Sequence, residues 1–151
     1  MPQKSAGILL YRFKNNILEV LLVHPGGPFW KNKDEGAWSI PKGEFDDNEK
    51  ALDAAIREMK EETGIVINGS FIELSPVKQK AGKLIYAFAK EYDLDTTQIK
   101  SNEFEMEWPP KSGKKKMFPE IDKAEWFTIK AAKEKINSGQ WPLVEELSEK
   151  I

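Results

Sequence analysis

The sequence predicts a mixed α/β (α+β) fold, a sandwich of helices against a mixed β-sheet. Two observations carry this expectation. Short runs rich in Ile, Leu, Val and aromatic residues recur along the chain, bounded by Gly, Pro and Asn. Among them lie Gly- and Pro-free stretches whose apolar residues have helical spacing. Strands thus surround at least two helices in a mixed order.

Taken in order, Ser5–Phe13 and Ile17–His24 read as a β-hairpin, with turn chemistry at Lys14-Asn15-Asn16. Pro25-Gly26-Gly27-Pro28 breaks the chain, and a polar loop runs to Gly36. Ala37–Ile40 reads as a short strand, and Pro41 onward as loop. Asn48 is the expected N-cap of a helix over Glu49–Thr63, with Gly64 suited to its C-terminal turn. Phe71–Val77, Lys83–Tyr92, Glu103–Trp108 and Lys123–Ile129 read as strands, with a basic loop over Pro109–Lys116. Lys130–Asn137 and Pro142–Lys150 read as helices.

The chain has 151 residues, expected to form a single domain over 1–151 and long enough to bury a real core. Hydrophobic residues make up 40% and charged residues 32%, a globular rather than disordered balance. A net charge of −2 argues against broad affinity for nucleic acid, so no stable nucleic-acid partner is expected. The absence of cysteine excludes disulfides, thiolate zinc sites and cysteine nucleophiles. His24 is the single histidine, which excludes multi-histidine metal sites and favours a structural role for it. A strong metal site must therefore use oxygen ligands and a hard cation such as Mg²⁺ or Mn²⁺. The N-terminal apolar run is too short for a signal peptide, and no stretch is apolar enough for a membrane span. The expectation is a soluble, cytoplasmic protein with no membrane partner.

The stretch Arg57-Glu58-Met59-Lys60-Glu61-Glu62-Thr63-Gly64-Ile65 concentrates acid on the central helix. At about 100° per residue, Leu52, Ala55, Ile56, Met59 and Thr63 form an apolar stripe. Glu58, Glu61 and Glu62 fall on a different face. Like charges at such spacing weaken a helix by a few tenths of a kcal/mol. A divalent cation turns that repulsion into binding energy, because Mg²⁺ accepts carboxylate and phosphate oxygens together. An isolated Arg-Glu-x-x-Glu-Glu is common on exposed helices and proves nothing by itself.

Here the pattern is longer. Gly43, five residues, Glu49, seven residues, and then Arg57 to Ile65 resemble the Nudix box at every specified position and in both spacers. The Trp38-to-Lys42 approach, the preceding strand pair and a later Trp-Phe strand extend the resemblance. The resemblance implies a Nudix-type α/β/α sandwich and Mg²⁺-dependent hydrolysis of a phosphoanhydride, with Mn²⁺ as a substitute. The substrate implied is a small nucleotide, a nucleoside diphosphate linked to another group. Glu58, Glu61 and Glu62 become metal ligands, with Glu61 the most critical. Arg57 and Glu49 become an ion pair bracing the loop, while Gly43 and Gly64 serve its turns. Lys42 becomes a source of a backbone carbonyl for the metal and a side-chain charge for phosphate.

A further acid outside the box is expected to act as ligand or base. Glu103, Glu105, Glu107 and Glu120 are candidates, and Glu120 is favoured for its place before the Trp126 strand. Lys83, Tyr86 and Trp108 are candidate substrate contacts. Trp30 and Phe118 are further aromatic candidates for stacking a base, and Lys78, Lys80, Lys111 and Lys114-Lys115-Lys116 are basic candidates for phosphate. Pro41-Lys42-Gly43 resembles the entry of diadenosine-polyphosphate hydrolases. A nucleoside triphosphate pyrophosphatase and a non-catalytic nucleotide sensor are the rival readings.

Overall fold

The computed structural model describes residues 3–151. Strands β1 (Lys4–Lys14) and β2 (Ile17–Pro25) form the expected hairpin, closed by Asn15 and Asn16 with φ of 53° and 66°. That left-handed backbone suits asparagine and turns two twisted strands back on each other. A seven-stranded sheet runs in the order β4 (Ile72–Glu73), β6 (Leu84–Glu91), β1, β2, β9 (Ile121–Thr128). Strand β3 (Lys42–Phe45) adds to β1, and β5 (Val77–Lys78) adds to β6. The β1–β6 pair is parallel and the other pairs are antiparallel, so the sheet is mixed as expected.

Strand β1 alternates, and its two faces build two cores. Ala6, Ile8 and Leu10 pack with Ala54, Ala55 and Met59 of helix α1 (Ala51–Thr63). Leu9 and Tyr11 pack in the opposite core with Leu143, Val144 and Leu147 of helix α3 (Trp141–Lys150). Helix α2 (Ile129–Lys135) contributes Ala132 to that second core. Helices therefore cover both faces of the sheet.

The edge of β1 next to β2 is shared, and this positions the site. Tyr11–Lys14 pair with β2, whereas Lys4–Gly7 pair with β3. The sheet splits where β2 leaves β1. Pro41 fills the gap by accepting a hydrogen bond from the Ile8 N–H at 3.2 Å. A Cβ at Gly7 would run into the Pro41 carbonyl, so glycine is needed for this approach.

Several element boundaries differ from expectation. Pro41 onward is not all loop, since Lys42–Phe45 is strand; its pairing is tertiary and its Lys-Gly-Glu-Phe sequence carries no strand signature. Ala37–Ile40 makes only isolated bridges, Ser39 to Val23 and Trp38 to Ile136. Asn48 does not cap α1. Its N–H and that of Glu49 donate to Asp46 in a turn, at 2.9 and 3.2 Å, and the N-cap position falls to Lys50, which makes no side-chain cap bond. Glu49 consequently lies before the helix. Phe71–Val77 is two short strands, interrupted where Pro76 lacks an N–H. Part of the expected basic loop is strand β8 (Lys115–Pro119), which pairs with β7 (Glu103–Glu107) in a separate two-stranded hairpin. Among the described residues, no helix is long and apolar enough to cross a membrane.

Candidate active site

The acidic helix ends in a Gly64 turn with φ of 80°, its N–H donating to the Lys60 carbonyl at 2.7 Å. Two further bonds tie the helix end to the chain before β7: Lys100 N–H to Thr63 O, and Asn102 N–H to Glu61 O at 3.0 Å. Asn102 then accepts a 2.8 Å bond from the Glu120 N–H. Glu120 is thereby held beside the acidic helix, although it is far away in sequence.

Glu58 is not on a solvated face. It is 8% exposed, tucked beneath β3, where a Cβ on Gly43 would overlap its carboxylate. The buried side of α1 includes Ala54 and Glu58, turned toward β3 from the apolar stripe read in the sequence. Arg57 organises the loop. Its guanidinium makes two 2.9 Å bonds to the Glu49 carboxylate, one of 2.5 Å to Glu58, and longer ones of 3.3 and 3.4 Å to Glu61.

The carboxylates sense one another. Burial, and then the charge of Glu120, push the Glu62 carboxyl up to about 8, while Lys42 opposes the shift. Burial, and then the charge of Glu61, raise both Glu58 and Glu120 above the ordinary carboxyl range. The Arg57 hydrogen bond holds Glu49 below that range. Burial, and then Lys83, push Lys42 down, with Glu62, Glu44 and Glu58 pulling the other way. Among the described residues, no three acids close into a ready-made cation cage, and Arg57 engages Glu58 and Glu61. The donor chemistry nevertheless suits a hard divalent ion: the oxygens are crowded, mutually repelling and partly desolvated.

A cleft of about 260 Å³ opens where the sheet splits. Lys42, Glu62 and Glu120 line it, together with Trp30, Ser39, Gln79, Asn137 and Gln140. The structure thus brings Lys42, Glu62 and Glu120 to one cavity, with Glu58 and Glu61 adjoining on α1. Lys83 pairs with Glu44 at 3.3 Å beside this group. Tyr86 and Trp108 lie outside the cleft lining: Tyr86 packs edge-on with Phe45 under α1, and Trp108 packs edge-on with Phe29. Phe118 packs with Phe104 across the β7–β8 hairpin. Glu105 pairs with Lys115 and Glu107 accepts from the Lys111 N–H, both within that hairpin. His24 is buried, bonded to Asp122 at 2.8 Å and to the Lys33 carbonyl at 2.5 Å, which is a structural role. Ser39, Gln79, Asn137 and Gln140 gave no signal in sequence, being single polar residues gathered only by the fold.

A family model described as "NUDIX domain" matches residues 1–147. The chain belongs to the Nudix family. The bis(5'-nucleosyl)-tetraphosphatase [asymmetrical] of Mus musculus is 31% identical over 110 residues, 63% of this chain and 71% of the mouse protein. Nudix hydrolase 7 of Arabidopsis thaliana is 28% identical over 114 residues; the match covers 70% of this chain but only 38% of the plant protein's length. The NUDIX domain of Shewanella oneidensis NrtR, solved with ADP ribose, superposes with a TM-score of 0.69 at 15% identity, covering 99% of this chain and 88% of that one. A C. elegans Ap4A hydrolase binary complex gives 0.65 at 21% identity, with 96% of each chain covered. These two structures bear out the mixed α+β Nudix fold. The family match and the tetraphosphatase relatives together support a Nudix pyrophosphohydrolase. Nudix hydrolases generally use divalent metals such as Mg²⁺.

Proposed function

We propose that this Nudix chain hydrolyses a phosphoanhydride bond in a nucleoside diphosphate linked to another group, with a dinucleoside polyphosphate as the leading substrate. One observation carries the proposal: the cleft at the split of the sheet joins Lys42, Glu62 and Glu120 and adjoins Glu58 and Glu61. The resemblance of Pro41-Lys42-Gly43 to diadenosine-polyphosphate hydrolases and the tetraphosphatase relatives support the substrate. The small nucleotide substrate and the net charge of −2 fit a soluble cytoplasmic enzyme without a nucleic-acid partner.

Glu58, Glu61 and Glu62, with the Lys42 backbone carbonyl, would hold Mg²⁺ or Mn²⁺. Such an ion neutralises phosphate charge and lowers the energy of the developing oxyanion. The rest falls to the chain's own groups. The Lys42 ammonium draws phosphate oxygens into the cleft as a point charge. Glu120, raised by burial and by Glu61, is a stronger proton acceptor than an exposed carboxylate and takes the proton of the attacking water. Arg57, tied to Glu49, fixes Glu58 and Glu61 relative to the loop. Lys83 keeps Glu44 paired and away from the phosphates.

The test is Glu61→Gln, assayed with Mg²⁺ on dinucleoside polyphosphates, nucleoside triphosphates and ADP-ribose, with products identified by chromatography. Turnover on the preferred substrate should fall by at least about 100-fold, the scale on which a charge-stabilising group matters. Near-wild-type Mg²⁺-dependent turnover in the variant would remove Glu61 from the site.

A further inference from the structure

The loop from Gly26 to Gly36 exposes two large aromatics, Phe29 at 60% and Trp30 at 39%. Exposing such rings forgoes burial worth a few kcal/mol at most sites. This loop is nevertheless fastened at both ends. At its start, the Gly26 N–H donates to the Glu120 carbonyl at 2.9 Å, and Gly27 lies against the Phe104 ring. At its end, the Lys33 carbonyl bonds the buried His24 ring, and Asp34 accepts from the Trp38 indole at 2.8 Å. Between these anchors Phe29 is braced edge-on by Trp108, with ring centres 6.0 Å apart. The Lys33 ammonium sits 5.0 Å from the Trp30 ring centre. Trp30 is thus held in place yet left partly uncovered, and it lines the same cleft as Lys42, Glu62 and Glu120.

We infer that Trp30 is the stacking platform for the nucleobase of the substrate, setting the nucleoside end at one wall while the polyphosphate reaches Lys42 and the acids. This deepens the proposed function and rests on its substrate class. A flat indole offers any base a π-face, so the contact favours a base over none without choosing strongly among bases. The Gly26-to-Glu120 bond places the platform and the acid on one frame, so the base position fixes the phosphates relative to Glu120. Trp30 is a positioning residue for the reaction. It touches the substrate far from the bond that breaks.

The test compares wild type, Trp30→Ala and Trp30→Phe. Affinity for diadenosine tetraphosphate and for base-free inorganic tripolyphosphate is measured by calorimetry with Ca²⁺, and tryptophan emission is followed during the titration. Trp30→Ala should bind the dinucleotide about tenfold more weakly or worse. It should bind tripolyphosphate within about twofold of wild type, and Trp30→Phe should recover most of the dinucleotide affinity. The dinucleotide should quench wild-type emission more than that of Trp30→Phe. A loss under twofold in Trp30→Ala, an equal loss for both ligands, or a wild type that binds no dinucleotide overturns the assignment. If wild type binds the dinucleotide through Trp30 but releases no product with Mg²⁺, the hydrolysis reading fails and the platform stands.

Discussion

At the scale of single residues, Glu62 shows what gathering acids costs the fold. Its carboxyl ordinarily titrates near 4.5, and the fold pushes it up to about 8. Between those values the folded chain binds a proton that the unfolded chain has released. Stability therefore falls as pH rises through that window, and the loss is complete above about 8. In chelator, thermal midpoints followed from pH 5 to 8.5 should decline more steeply for wild type than for Glu62→Gln. Parallel slopes would show that Glu62 carries no such cost. The same residue illustrates what spacing can and cannot reveal. The i, i+3, i+4 pattern of Glu58, Glu61 and Glu62 predicts a shared acidic face. Nothing in it indicates that Glu58 sits under β3, or that Glu120 contributes its charge from another hairpin.

At the scale of elements, the critical joint is β3 against α1. Gly43 lets the Glu58 carboxylate lie against the strand backbone. Gly43 does not need the left-handed region, so only contact opposes a side chain there. Gly43→Ala should cost about 1–3 kcal/mol through overpacking. That corresponds to a thermal shift of roughly 2–4 °C per kcal/mol in a chain of this size. It should also displace Glu58 and depress turnover more than it depresses stability. Calorimetry beside an activity assay separates the two, and unchanged turnover would mean that the Glu58 position is slack. The elements legible in sequence were those with a local cause: the β1–β2 hairpin from its Asn-Asn turn, and the body of α1 from its periodicity and Gly64. Those that were not legible owe their form to distant partners. Strand β3 exists because β1 offers it an edge, and Asn48 lies in the Asp46 turn, two residues before Lys50, which takes the N-cap position without a side-chain cap. Lysines make β8 read as loop, yet an edge hairpin tolerates them because their side chains remain in water.

At the scale of the whole molecule, one sheet separates two cores, and the proposed site lies in the cleft where that sheet divides. The family match extends along the chain from residue 1 to 147, yet the Nudix box alone carried most of the legible function. The cleft lining comes from β2, β3, α1, the start of β9 and several loops, a gathering that no single segment encodes. A divalent ion that binds the folded acids and not the unfolded chain must raise the unfolding free energy. At a hundredfold excess over its dissociation constant the gain is about 2.7 kcal/mol. Mg²⁺ or Mn²⁺ should therefore raise the thermal midpoint by several degrees, reversibly with chelator, and this gain should shrink in Glu61→Gln. A midpoint indifferent to both ions would count against the acidic cluster as a metal centre.

The β7–β8 hairpin stands on two feet, Asn102 and Glu120, which are bonded to each other, with Asn102 also bonded to Glu61 near the end of α1. Its tip, Pro109 to Gly113, projects away from them in an exposed turn. Such an arrangement behaves like a handle on a fixed socket. The tip can be lengthened, shortened or replaced by an unrelated loop while the socket keeps the spacing between Glu61 and Glu120. An insertion at the exposed Ser112 is therefore expected to leave the Glu61–Glu120 spacing, and with it turnover by the proposed site, unchanged.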